Sequence, residues 1–402
     1  MNLLNKIRSY PRLGIILLAY IAFISLGLPD GLMGVAWPSI RSDFSRPLDS
    51  LGLLLIASTA GYLTSSFLNG KLIARFGVGG VLAGSCALTG AGLLSYTLVP
   101  EWWMMVLLGA VAGLGAGAID AGLNTYAAAN FGEGMMQWLH ASYGIGVTLG
   151  PIIMTGALNL FDSWRLGYRV VGVAQVVLGV SFLLTLRMWQ GKSASAAEGQ
   201  PQNLADYKTP YGETLRQPRV WASLLLFFFY TGSEVGLGAW AYTLLTEARG
   251  IRPEVAGLWA GSYWAMFTIG RVLAGLFAKR IRSQVLVWGS LLAALLGSAL
   301  LWWNPVEAVG VLGVAVIGFA IAPIFPGLVS GTSQRVGARF AANTIGMQIG
   351  AGGLGIALLP TLIGVLARYI SLEVVPVCLF VLFALQLGVF WLSVSGRLPI
   401  SE

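Results

Sequence analysis

The chain has 402 residues, of which 56% are hydrophobic and only 10% are charged, and its mean hydropathy is +0.78. Soluble domains carry about 25% charged residues, so this composition excludes an ordinary soluble protein and predicts an integral membrane protein. The net charge of +8 follows from basic residues beside apolar segments, so it does not indicate a nucleic-acid partner.

Twelve apolar segments follow one another along the chain, each long enough to cross a bilayer, since about 20 helical residues span the hydrocarbon core. The alternating segments of a membrane β-barrel are not visible, and the first span lacks the cleavage site of a signal peptide. The predicted spans are 13–38, 50–73, 77–99, 102–130, 136–160, 167–189, 219–246, 254–278, 283–302, 305–332, 341–366 and 372–394.

The basic residues are distributed unequally between the two sides of these spans. Of the 24 Lys and Arg residues, 16 lie on one side, seven on the other, and Arg271 lies inside a span. Because short loops rich in Lys and Arg remain in the cytoplasm, both termini are predicted to be cytoplasmic. We expect the protein in the plasma (inner) membrane of a prokaryote.

The longest polar stretch divides the spans into two sets of six. It is rich in Ser, Ala, Gly, Gln and Pro, a composition typical of flexible linkers. The predicted organisation is an N-terminal half at 1–189, a mobile cytoplasmic linker at 190–218 and a C-terminal half at 219–402. The two halves also resemble each other at an offset of 205 residues, where glycines coincide at 70 and 275, 113 and 318, 122 and 327, and 150 and 355.

Two six-helix halves in parallel repeat resemble the major facilitator superfamily. The stretch "NGKLIARFGVGG" after the second span is similar to a loop motif of that superfamily: Gly70, Arg75, Phe76 and Gly77 match it, whereas Ala74 stands where the motif has an acid. The resemblance implies an all-α membrane protein with twelve transmembrane helices in two pseudo-repeat halves. It also implies a structural role in gating for Gly70, Arg75 and Gly77.

Within that superfamily the chain resembles the fucose-permease type of sugar/proton symporters. The resembling stretches are "LGLPDGLMGVAWPSI", "GLGAGAIDAGLNTYAA", "LHASYGIGVTLGP" and "GSEVGLGAW". The resemblance implies that the functional carboxylates of the family fall on Asp30 and Asp120. The helix-four acid is usually Glu in the permease itself, so the shorter Asp120 is a departure from the pattern.

Three acids lie well inside spans, out of 16 in the chain: Asp30, Asp120 and Glu234. An ionised side chain at mid-bilayer costs at least about 2.5–3.5 kcal/mol, and such residues mark transport pathways. We therefore expect all three to serve in proton coupling, Asp120 above all. The alternative for Asp120 is a helix-packing hydrogen bond to Asn124, one turn further on.

Asp30 and Glu234 are also predicted to bind substrate, because they lie in the pseudo-equivalent helices that begin each half and would face one central cavity. Trp37 lies on the Asp30 face of the first helix, and an aromatic ring beside a carboxylate suits a sugar. The alternative for Asp30 is a helix break beside Pro29, with the acid bonding freed backbone.

Around Glu234, Tyr230 precedes the acid by one turn and Trp240 follows it. Its alternative is an ion pair with Arg271, which is assigned to gating and could also merely extend its side chain to the membrane surface.

The remaining candidates for substrate binding offer hydroxyl, amide, imidazole or ring groups suited to a polar solute. Interhelical hydrogen bonding and lipid-facing or interfacial aromatic residues are the alternatives for several of them. A single histidine cannot build a metal site, and we expect neither metal nor cofactor. These candidates are Asn124, Tyr143, His140, Tyr263, Trp264, Asn343 and Gln348.

The sequence therefore predicts a secondary active transporter that moves a small polar solute, favouring a sugar, by alternating access coupled to protons. We expect a monomer that binds its small-molecule substrate near the midplane of the bilayer. The alternative is a drug or metabolite/proton antiporter, because "GIGVTLGPIIMTG" partly resembles the helix-five signature of such exporters. Nucleophile and P-loop motifs are not visible, which disfavours an enzyme.

Overall fold

Twelve long helices form the described part of the chain, which covers residues 11–130, 133–189, 209–277 and 280–395 of a computed structural model. Ten helical stretches are long and apolar enough to cross a membrane; one of them, Leu48–Tyr96, contains two helices, and α8 completes the twelve. The helices are α1 (Pro11–Asp43), α2 (51–76), α3 (78–96), α4 (Trp102–Asn130), α5 (Glu133–Phe161), α6 (Trp164–Leu184), α7 (Pro218–Thr243), α8 (Pro253–Phe277), α9 (Ser283–Trp303), α10 (Glu307–Ile321), α11 (Ala338–Tyr369) and α12 (Val374–Val394).

A single residue separates α2 from α3. Helical structure runs from Leu51 to Tyr96 and is interrupted only at Gly77, whose backbone angles are φ 70° and ψ 165°. Glycine adopts this combination of φ and ψ easily because it has no Cβ, whereas the same backbone angles are strained for other residues. Gly77 therefore makes the turn for which the sequence predicted a gap of three residues.

The predicted tenth span, 305–332, is broken near its middle. The helix α10 ends at Ile321, and a short helix, Ile324–Ser330, follows it. Pro323 lies at the break, and proline interrupts a helix because it has no backbone N–H to donate. A second short helix, Thr332–Val336, then leads into α11.

Packing divides the chain into two compact units. Unit 1 comprises Met1–Arg46 and Leu53–Ser195, and unit 2 comprises Pro47–Gly52 and Ala196–Glu402. In unit 1, α1 packs along α5, and in unit 2, α7 packs along α11. Residues 190–208 of the predicted linker lie outside the described residues. Its described remainder contains a short helix, Tyr211–Leu215, which we call the linker helix.

The predicted repeat reappears in the packing of the helices. A Cβ on Gly113 of α4 would lie 2.0 Å from the Ser58 carbonyl oxygen of α2, and one on Gly318 of α10 would lie 2.2 Å from the Tyr263 carbonyl oxygen of α8. Both residues of the second contact are 205 positions after those of the first. Only glycine permits these close approaches, so the same helix crossing is built twice.

Candidate functional site

Asp120 of α4 accepts two hydrogen bonds from neutral donors. The Tyr62 hydroxyl of α2 donates to Oδ2, and the Asn124 amide donates to Oδ1 at 2.9 Å. Asn124 lies one turn further along the same helix, as the sequence suggested. Both carboxylate oxygens thus accept hydrogen bonds from neutral groups, an arrangement that stabilises the ionised carboxylate.

The close packing of α2 on α4 brings Tyr62 to Asp120. A Cβ on Gly117 would lie 2.2 Å from the Tyr62 carbonyl oxygen, so any larger residue at 117 would push α2 away. Ser66 strengthens the same contact, because its hydroxyl donates to the Gly117 carbonyl oxygen at 3.3 Å. The glycine-rich run of α4 is therefore what allows a side chain of α2 to reach the acid.

Asp30 of α1 lies in the same unit and is exposed. The Tyr143 hydroxyl of α5 donates to Asp30 Oδ2 at 2.7 Å. Glycine again sets the approach of the helices, since a Cβ on Gly27 would lie 2.4 Å from the Tyr143 carbonyl oxygen. Asp30 and Asp120 therefore lie in the same unit, on α1 and α4.

Two other candidates of unit 1 contact aromatic rings. Trp37 is fully buried and packs against Trp102, with ring centroids 5.6 Å apart. His140 is exposed, and its ring meets that of Phe23 edge to face at 5.5 Å. These contacts link Trp37 to the start of α4 and His140 to α1.

The loop predicted to act in gating lies where α2 meets α3. Gly70 and Arg75 are exposed, and the Arg75 guanidinium lies 5.4 Å from the centre of the Phe76 ring. The family motif has an acid at the position of Ala74. Alanine carries no charge, so Arg75 cannot pair with an acid at that position. Gly77 supplies the turn described above.

Glu234 of α7 is the buried acid of unit 2, with 9% of its surface exposed. Arg271 Nη2 of α8 lies 4.0 Å from Glu234 Oε1, at the outer limit of an ion pair. The guanidinium carbon of Arg271, Cζ, lies 4.2 Å from the centre of the Phe267 ring, which makes a cation–π contact. The ion pair that the sequence offered as an alternative for Glu234 is present.

Two buried tyrosines accompany that pair. The Tyr263 hydroxyl donates to the backbone oxygen of Glu234 at 2.7 Å. Tyr230 is 1% exposed, its hydroxyl lies within the electrostatic influence of Glu234 and Arg271, and it makes no hydrogen bond of ordinary geometry within the described residues. A buried hydroxyl without a protein acceptor is suited to a water molecule or a bound polar solute.

Trp240 and Trp264 hold helices together. The Trp240 indole N–H donates to the Pro360 carbonyl oxygen of α11 at 2.9 Å, and its ring fills the space at Gly364. The Trp264 ring lies against Gly238 and meets that of Tyr263 at a centroid distance of 4.7 Å. Both indoles are buried.

Asn343 and Gln348 of α11 bind other parts of unit 2. The Asn343 amide donates to the Thr209 carbonyl oxygen at 2.8 Å and to Thr214 Oγ1 of the linker helix at 3.0 Å. The fully buried Gln348 amide donates to Ser223 Oγ at 2.7 Å and to Thr332 Oγ1 at 3.0 Å. Their contacts are those of interhelical hydrogen bonding.

Tyr62 is the residue of this region that the sequence did not single out. The position 205 residues later is Phe267, which contacts Arg271, so the repeat gives no signal of a hydroxyl beside Asp120.

Comparisons with known proteins identify the fold. The family model described as "Major Facilitator Superfamily" matches residues 19–360 of this chain. A solved structure of the nucleoside transporter NupG aligns with a TM-score of 0.78 at 14% identity, over 95% of this chain and all of that one. The predicted fold class, twelve helices in the major facilitator fold, is confirmed.

Two relatives differ in what their names say they transport or resist. "Sodium-dependent glucose transporter 1" of Homo sapiens is 25% identical over 88% of this chain and 74% of its own length. "Fosmidomycin resistance protein" of Escherichia coli (strain K12) is 22% identical over 90% of this chain and 88% of its own.

Proposed function

Since the chain belongs to the Major Facilitator Superfamily, and is thus a transporter and not an enzyme, we propose that it carries a small polar solute in symport with protons. A sugar is the favoured substrate class, and alternating access is the mechanism. We place the protein in the plasma membrane of a prokaryote with both termini in the cytoplasm, following the distribution of its basic residues.

The observation that carries the proton coupling is the environment of Asp120. Its two oxygens face the Tyr62 hydroxyl and the Asn124 amide, and small apolar residues of α4 surround it in the sequence. The hydrogen bonds direct an O–H and an N–H group at the carboxylate, an arrangement that fits a carboxyl group exchanging a proton. A carboxyl so placed can hold its charge by hydrogen bonds or lose it by taking a proton.

Asp30 has a different part in the proposed cycle. Its carboxylate is exposed and accepts a hydrogen bond from the Tyr143 hydroxyl at 2.7 Å. Carboxylate oxygens carry several acceptor sites and can accept hydrogen bonds from the hydroxyls of a sugar. Asp30 therefore binds substrate.

Glu234 and Arg271 form the second binding group. Together they present carboxylate acceptors and guanidinium donors with no net charge, which suits a neutral solute with both donors and acceptors. The buried Tyr230 hydroxyl adds a further polar group. The human relative named as a glucose transporter supports the sugar class.

The experiment is uptake of a panel of sugars, fucose included, into proteoliposomes with an imposed pH gradient and a pH-sensitive dye inside. We expect one sugar or more to enter with protons and to accumulate. Silence with every sugar would contradict the sugar class.

Two further arms of this experiment identify the coupling ion and distinguish symport from antiport. A sodium gradient replaces the pH gradient in the first, because the human relative is named as sodium-dependent; accumulation there alone would contradict proton coupling. The second arm adds a cationic drug, since the fosmidomycin-resistance relative and the partial helix-five signature favour an exporter as the second candidate. Drug-dependent proton release would establish antiport.

A further inference from the structure

Pro29 leaves one carbonyl group of α1 without its usual helical donor. In an α-helix the N–H of each residue binds the carbonyl oxygen four residues earlier, and proline has no N–H to donate. The carbonyl concerned is that of Ser25, which lies within α1 and is 5% exposed. A buried carbonyl oxygen without a donor costs free energy, so this one requires a donor from outside the helix.

Gln175 of α6 supplies that donor. Its side-chain amide donates to the Ser25 carbonyl oxygen at 3.0 Å. The glutamine is fully buried, and its Oε1 makes no hydrogen bond within the described residues. Burial of an amide with an unpaired oxygen is unfavourable, so packing alone would favour leucine here. The carbonyl that Pro29 frees explains why the residue is polar.

The turn of α1 that Gln175 binds carries Asp30, which follows Pro29 directly. Gly31 comes next and lies against α5, because a Cβ there would be 2.4 Å from the Val147 carbonyl oxygen. The backbone of α5 and the amide of α6 thus hold this turn from two neighbouring helices. A turn held in this way also determines where the Asp30 carboxylate lies.

The ionised Asp30 cannot replace Gln175 at the freed carbonyl. That carbonyl oxygen is an acceptor, and an ionised carboxylate also only accepts hydrogen bonds. The carboxylate accepts instead from the Tyr143 hydroxyl of α5, at 2.7 Å. The two polar side chains of this turn region therefore have separate tasks, one toward the backbone and one toward α5.

We propose that Gln175 is a positioning residue for Asp30. Its amide closes the gap that Pro29 leaves in the hydrogen bonding of α1, and thereby sets the position of the carboxylate toward the Tyr143 hydroxyl. Gln175 acts through the backbone of α1 and not by contact with substrate. The inference rests on the proposed binding of substrate by Asp30 for its functional meaning.

Unit 2 provides a matched control in Gln386 of α12. This glutamine is also fully buried, its Oε1 makes no hydrogen bond within the described residues, and its amide donates to the Leu226 carbonyl oxygen of α7 at 3.2 Å. The residue four positions after Leu226 is Tyr230, whose backbone N–H gives that carbonyl a helical donor. Gln175→Leu and Gln386→Leu therefore remove the same group, but only the first leaves a carbonyl without a donor.

The test is chemical labelling of Asp30 in the full-length protein in liposomes. A water-soluble carbodiimide and glycine ethyl ester react with accessible carboxyl groups, and mass spectrometry measures the rate at each one. In Gln175→Leu we expect Asp30 to label about two- to ten-fold faster, because a displaced carboxylate loses hydrogen bonding and becomes more basic. Gln386→Leu should leave the Asp30 rate unchanged. Asp162, in the exposed turn before α6, should label at the wild-type rate in both variants.

Pro29→Ala distinguishes positioning from a general loss of packing. Alanine restores the backbone N–H that binds the Ser25 carbonyl, so the glutamine amide is no longer required. In the Pro29→Ala background, Gln175→Leu should therefore leave the Asp30 labelling rate unchanged. A role for Gln175 in packing alone would change that rate equally in both backgrounds.

The inference is overturned if Gln175→Leu labels Asp30 at the wild-type rate, or if its effect is equally large in the Pro29→Ala background. If Gln175→Leu alone does not fold, Pro29→Ala should restore the folded protein, and failure to fold in both backgrounds would also contradict the inference. Neither substrate nor a proton gradient enters this experiment. Failure of the proposed sugar transport or proton coupling is therefore distinguishable from failure of this inference.

Discussion

The polar regions of the two units are built on equivalent helix crossings but carry different charges. In unit 1, neutral donors serve the acids Asp30 and Asp120. In unit 2, Glu234 faces the guanidinium of Arg271. A carboxylate with a permanent cation beside it is held in its charged form, whereas one with neutral donors can exchange its charge for a proton. The comparison supports our proposal that Asp120 of unit 1, and not Glu234 of unit 2, handles the proton.

One pair of equivalent positions expresses this difference. Tyr62 of unit 1 corresponds to Phe267 of unit 2 at the repeat offset. The phenol donates to a carboxylate, and the phenyl ring instead supports a guanidinium. The same location on the second helix of each unit thus serves an anion in one case and a cation in the other.

The largest expected effect is that of Asp120→Asn, which makes the unit 1 acid permanently neutral. Accumulation driven by a pH gradient should fall to the level of liposomes without protein, because no proton can be released at this position. Exchange of substrate across the membrane should survive. Uphill uptake and counterflow in the same preparation measure the two. Asp162→Asn, in the exposed turn before α6, is the control, and unchanged pH dependence in Asp120→Asn would exclude Asp120 from coupling.

The next effect is that of Glu234→Gln, which leaves the Arg271 cation of unit 2 without its acid. We expect unfolding to become easier by about 1–3 kcal/mol, and substrate affinity to fall. The double variant with Arg271→Gln should recover stability but not affinity, since it removes both charges. Thermal unfolding and substrate KM measure these quantities. Recovery of full affinity in the double variant would contradict a binding role for the pair.

A smaller effect is expected of Trp240→Phe, because the described contacts of its indole are with helix α11. Loss of the hydrogen bond to the Pro360 carbonyl oxygen and of part of the ring should lower stability by about 1–3 kcal/mol. Substrate affinity should stay at the wild-type value. Trp303→Phe, at an exposed position, is the control. A loss of substrate-binding free energy larger than the loss in the free energy of unfolding would instead support the binding role predicted for Trp240.

The smallest effect is expected of Asn343→Ala, which acts on the linker helix alone. Removal of the donor to Thr209 and Thr214 should raise local opening of residues 209–217 by about 0.5–1.5 kcal/mol. Hydrogen exchange of these amides measures it, with Asn159→Ala in unit 1 as the control. Protection that is unchanged at 209–217, combined with weaker sugar binding, would favour the binding role predicted from the sequence.

The sequence was sufficient for features that depend on distance along one helix. Length and apolarity located the twelve spans, and the i, i+4 spacing placed Asn124 beside Asp120. The repeat offset brought Glu234 into correspondence with the first helix. The cost of a buried charge singled out the acids whatever their neighbours were.

Features that depend on the register between helices could not be read in this way. Trp37 lies on the Asp30 face of α1 by periodicity, yet its ring packs against Trp102 of α4. Asn343 points to the linker helix, whose docking on α11 follows from contacts far apart in sequence. The sequence does not single out Tyr62, because its partner Asp120 lies on another helix. Side-chain periodicity gives the face of a helix and not the height at which two helices meet.

The two donors of Asp120 differ in how they respond to movement. Asn124 travels with the acid, because both belong to α4, so that bond survives any displacement of the helix as a rigid body. Tyr62 belongs to α2, whose separation from α4 is fixed by backbone contact at Gly113 and Gly117. Sliding or rotation of one helix on the other can still carry the phenol away from the carboxylate. The hydrogen bonding of Asp120 therefore depends on helix rotation: the bond from Asn124 stays constant, and the bond from Tyr62 changes.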